Sequence, residues 1–133
     1  MGNKSKKILT EISPGELLDK ISILEIKLIK ITDKNNLFEI NKEYEILKKT
    51  QNSTIKLDDE IKDLFNSLKD VNLYLWDVED KIRICEKNKD FGKEFIELAR
   101  KVYVNNDKRA KIKSSINKIL GSNIKEIKDY AKY

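Results

Sequence analysis

Apolar residues recur every three or four positions along five stretches of this chain, the period of an amphipathic helix, and short polar breaks separate the stretches. The first opens at Ser13-Pro14-Gly15-Glu16. That is a capping box, with Ser13 as N-cap, Pro14 in the first helical position and Glu16 reaching back. It runs to about Thr32. At about 100° per residue, Leu17, Leu18, Ile21, Leu24, Leu28, Ile29 and Ile31 share one broad arc, and Ile23 and Ile26 lie opposite. Apolar residues on both sides place this helix in the middle of a bundle. A second helix covers about Leu37 to Thr50, and the third and longest runs from about Leu57 to Lys87. Asp90 caps a fourth, and Asn105-Asn106-Asp107 reads as a stop and restart. Asn106 then caps a fifth helix that ends at Leu120 before Gly121. Ile124 to Tyr133 is expected to add a turn or two. The pattern predicts an all-α, antiparallel bundle of about five helices with one long central helix, one domain over 13–133 behind a flexible stretch at 1–12.

Composition narrows the chemistry. Histidine is absent from the 133 residues, which removes the usual neutral-pH base and the commonest metal ligand. Cys85 is alone and falls on an apolar face, so it is expected as an inert buried thiol. No metal or cofactor is implied. No apolar run is long enough to span a membrane and no signal peptide is visible, so a cytoplasmic protein is expected. The net charge of +5 is unevenly spread: residues 100–133 hold ten Lys/Arg and three Asp/Glu, about +7, against about −2 for the rest. Without interleaved aromatics, that basic third argues against a nucleic-acid partner.

Some charged positions break the helical pattern. With Leu57 at zero, Glu79, Asn72 and Arg83 project at about 40°, 60° and 80°, inside the apolar arc of the third helix. Glu25 falls between Ile21 and Leu18 on the first helix, and Arg109 shares a face with Ile112, Ile116 and Leu120. An isolated buried ion costs several kcal/mol, so these groups must meet each other, a ligand or water. Either a satisfied network or an inward polar site between helices follows. Trp76 sits at the edge of the arc, as expected of a packing residue with its indole N–H at a rim.

The blocks SPGELLDKISILEIK (13–27), LWDVEDKIR (75–83), FIELARKVY (95–103) and NDKRAKIKSSIN (106–117), followed by GSNIKEIKDY, resemble a small bacterial family of unknown function. That family is similar to proteins encoded beside, or fused with, glycosyltransferases and tetratricopeptide proteins of surface-polysaccharide pathways. The resemblance implies an accessory role in glycan assembly. Its motif positions fall on Glu25, Trp76, Glu79, Arg83, Asn106, Arg109 and Tyr130, and Ile127 stands where a second acid is expected.

The functional expectation is a non-enzymatic helical module that binds a protein or a small anionic ligand, with Arg83 and Arg109 as anion-binding forks. A homodimer through Ile23 and Ile26 is a further option. Two enzyme readings compete. Glu94/Glu97 with Glu126/Asp129 formally match the carboxylate pattern of a magnesium-dependent nucleotide pyrophosphohydrolase. Inward Arg and Glu side chains fit a chorismate-mutase-like clamp, although the arginine-rich start of the first helix is missing.

Overall fold

Side-chain caps begin three of the four helices in the computed structural model, which describes residues 4–133. The Ser13 hydroxyl accepts from the Glu16 N–H at 3.1 Å and starts α1 (Pro14–Lys30). Asp33 accepts from the Asn36 N–H at 2.9 Å and starts α2 (Lys34–Thr54). Asp58 does the same for the Ile61 N–H, also at 2.9 Å, at the head of α3 (Asp59–Lys87). Helix α4 (Lys93–Ile119) begins at Gly92 with no side-chain cap. Two helices end in left-handed residues: Lys89 (φ 54°) after α3 and Gly121 (φ 63°) after α4. In each, an N–H five residues on closes back to the helix, Asp90 to the Cys85 carbonyl at 2.9 Å and Ser122 to the Asn117 carbonyl at 2.8 Å.

The fold is all-α, and no strand occurs among the described residues. Four helices replace the five expected. Asn105 and Asn106 stand inside α4 and do not restart a helix, and each side chain has a partner within it. Asn105 donates to the Lys101 carbonyl at 2.8 Å, and Asn106 accepts from Arg109. A mid-helix asparagine costs only a fraction of a kcal/mol in propensity, which tertiary packing overrides. The segment from Ile124 to Tyr133 is not helical. Of the N-terminal stretch 1–12, residues 4–12 carry no regular secondary structure and 1–3 lie outside the described residues.

Helix α1 touches each of the others, whereas α2 touches α1 alone. The central position thus belongs to α1 and not to the longest helix, α3. The two-sided apolar pattern of α1 has this cause: one face meets α2 and the other meets the α3–α4 hairpin. Gly15 lies against Asn117 and Asp19 against Arg109, so α1 and α4 run antiparallel. The core splits into two clusters. Leu18, Ile61, Leu68 and Ile116 join α1, α3 and α4, while Val78, Cys85 and Leu98 zip α3 to α4 farther along. Cys85 is buried there, and burial pushes its thiol up, helped by the nearby charges of Glu94 and Asp90.

Candidate functional site

Between the two apolar clusters the α1–α3–α4 seam turns polar. Its centre is Asp19, 1% exposed. Asp19, Ser22, Ile23 and Ile26 follow the i, i+3, i+4, i+7 spacing that puts them on one side of α1. The Asp19 carboxylate receives a forked pair from Arg109: Nε reaches Oδ1 at 2.9 Å, and Nη2 donates to Oδ2. Asn72 adds a third donor to Oδ1 at 2.8 Å and a second bond, also 2.8 Å, to the Ser22 hydroxyl. Burial alone would raise the Asp19 pKa. The hydrogen bonds from Arg109 and Asn72 and the charges of Arg109 and Lys113 outweigh it and hold the carboxyl below the usual carboxylate range.

One turn along α4, Lys113 extends the network. Its ammonium sits 2.7 Å from Glu16, 3.6 Å from Asp19 and 3.2 Å from Glu126 of the C-terminal segment. Glu16, expected to reach back to its own N-cap, is thereby drawn across to α4. Burial works against the charged lysine, but the carboxylates around it win and raise its pKa. Gly15 permits the approach: a Cβ there would lie 2.6 Å from the Lys113 carbonyl and 2.8 Å from Asn117 Oδ1. The Gly15 N–H donates to that same amide oxygen at 2.7 Å.

Beside this anchor opens a cleft of about 470 Å³, within the usual range for small-ligand sites. Six residues singled out from the sequence line it: Asn72, Trp76, Glu79, Arg83, Asn106 and Arg109. Ile23, Ile26 and Leu75 supply its apolar surface, and Asp80 completes its charged rim. The expected inward Glu79–Arg83 pair is corrected. The two meet at 3.5 Å, but their side chains are 47% and 76% exposed, so the pair is a rim feature and not a buried ion pair. Arg109 and Asn72 do point inward.

Two other expected members stand apart. Glu25 lies between α2 and α3, where it pairs with Lys69 of α3 at 3.0 Å and accepts from the hydroxyl of Tyr44 of α2 at 3.3 Å. Tyr130 is 77% exposed in the C-terminal segment. Ile26 is buried, and Ile23 is half-buried in the wall of the cleft. Asp19 is the residue the sequence reading missed. The signal was there: one acid shares a side of α1 with Ile23 and Ile26, the two apolar residues that had no place on the main arc.

The structure thus defines an all-helical protein with an open cleft set against a buried ionic anchor. The chain belongs to a family of unknown function, DUF6165, whose model matches residues 8–133. No curated protein and no solved structure matches it. No described helix is long and apolar enough to cross a membrane.

Proposed function

We propose that this protein is a non-enzymatic binding module whose cleft between α1, α3 and α4 takes a small, polar, uncharged ligand bearing several hydroxyl groups. The observation that carries this reading is the composition of the cleft: one indole and an isoleucine–leucine floor, ringed by planar hydrogen-bonding side chains. Such rims can donate and accept side by side, as adjacent hydroxyls require. The charge balance favours a neutral ligand over the anion expected from sequence. Arg83 is matched by Glu79, Arg109 by Asp19, and Asp80 adds one more negative charge.

The enzyme alternatives find less support. Glu94 and Glu97 lie near the start of α4, whereas Glu126 lies against Lys113, sixteen residues beyond Glu97 along that helix and about 24 Å away at its usual rise. One magnesium ion cannot be shared across that span. A chorismate-mutase-like clamp needs free inward arginines, and the one inward arginine is already bound by Asp19. An accessory role in surface-polysaccharide assembly fits a hydroxyl-binding cleft and rests on the sequence resemblance alone.

Trp76 is the sole tryptophan of the chain and lines the cleft, so its fluorescence reports on the site directly. Titration with N-acetylglucosamine and with neutral disaccharides should give a saturable change in emission, lost in Asn106→Ala. A flat titration with every sugar into the millimolar range, in folded protein, would rule the reading out.

A further inference from the structure

A second groove, of about 580 Å³, lies on α4 away from the cleft. Its walls come from two elements. The face of α4 carrying Lys111, Ser114 and Lys118 forms one, and the segment carrying Lys125 and Lys128 forms the other. Within α4 these positions follow the three-and-four spacing that aligns side chains along a single stripe. None of the four lysines forms an ion pair within 4 Å among the described residues; Glu126, which also lines the groove, pairs with Lys113 instead. Only Lys113, deeper in the wall, is neutralised.

The lysines repel one another at close range, and the one carboxylate that lines the groove, Glu126, is shared with Lys113 and leaves the groove net positive. The partial negative charge at the C-terminal end of α4 offsets only about half a unit. Asn117, also a lining residue, adds a neutral donor: its oxygen is held by the Gly15 N–H, and its nitrogen has no partner among the described residues. No aromatic side chain lines the groove, so nothing there would stack on a base. The lysines come from two elements, Lys111 and Lys118 from α4 and Lys125 and Lys128 from the C-terminal segment.

We infer that this groove binds a compact multi-anionic phosphate group, such as a diphosphate, between Lys111 and Lys118 of α4 and Lys125 and Lys128 of the C-terminal segment. The site is independent of the cleft, and either can fail without the other. Two sources share this chemistry, a soluble diphosphate and the phosphomonoester headgroup of a lipid.

The full-length protein is titrated with inorganic pyrophosphate by calorimetry and, separately, sedimented with vesicles containing either phosphatidic acid or phosphatidylserine. Lys111→Ala/Lys118→Ala is compared with Lys62→Ala/Lys81→Ala, which removes the same charge from exposed sites elsewhere. Saturable pyrophosphate binding, weakened on the order of tenfold by the groove pair and unchanged by the control pair, supports a soluble diphosphate. Groove-dependent sedimentation with phosphatidic acid over phosphatidylserine supports a lipid headgroup. Equal losses in the two double variants, or no saturable binding to either probe, overturns the inference. So does tighter groove-dependent binding of duplex DNA than of pyrophosphate.

Discussion

Replacing Asp19 by asparagine removes one charge from the middle of the molecule and keeps the side-chain volume. In the native protein the carboxylate takes two donors from Arg109 and one from Asn72, with Lys113 at 3.6 Å. In Asp19→Asn one oxygen can still accept, but in either orientation the new amide N–H₂ faces one of the two Arg109 donors, donor against donor. Removing one member of a fully buried pair costs about 3–5 kcal/mol. Arg109 keeps 29% of its side chain exposed and can recover some hydration, which lowers the expected loss to about 2–3 kcal/mol. For a domain of this size that corresponds to a melting point lower by about 10 °C, read by circular dichroism.

The pH dependence has a definite sign. Because the folded pKa of Asp19 is lowered, its contribution is present above the unfolded value, about 3.9, and is lost as pH falls through the folded one. The gap between wild type and Asp19→Asn should therefore be full at pH 7 and close in the acid range below pH 4. Combining Asp19→Asn with Arg109→Gln should cost less than the sum of the single changes, by at least about 1 kcal/mol. A gap at pH 7 within the scatter of the melts, or one that persists unchanged into acid, would refute the buried anchor.

Two other substitutions test the surroundings of the site. Gly15→Ala should destabilise by about 1–3 kcal/mol in urea unfolding, since its methyl meets the Lys113 carbonyl, even though the same change in an exposed helix stabilises. Arg83→Lys should leave the melting temperature where it is, as Lys111→Ala should, because Arg83 sits at an exposed rim; a clear drop for Arg83→Lys alone would restore the buried pair expected from sequence.

Much of the helical architecture was legible residue by residue. The Ser13 cap, the long third helix and the Gly121 stop all follow from interactions within a few residues, so they are written locally. The fourth helix was misjudged at Asn105-Asn106 because a polar pair reads as a cap only when its amides lack other partners, and here the helix itself supplies them. Helical phase drew Asn72 and Arg109 inward correctly. The same arithmetic misplaced Arg83, which lies past the end of α1: Lys30, the last residue of α1, already meets Asp77 at 3.5 Å.

Periodicity and capping chemistry, then, determined by themselves that this chain is helical, that α1 begins at Ser13, and that Asn72 and Arg109 sit close to buried faces. Tertiary structure alone decided that α1 is the central helix, that Asp19 is the counter-ion of Arg109, and that Glu25 pairs with Lys69 of α3 and Tyr44 of α2 away from the cleft. The reason is one of range. Caps and amphipathic stripes act over about one turn, whereas Asp19 and Arg109 are separated by ninety residues and become partners only when Gly15 lets α1 settle against α4.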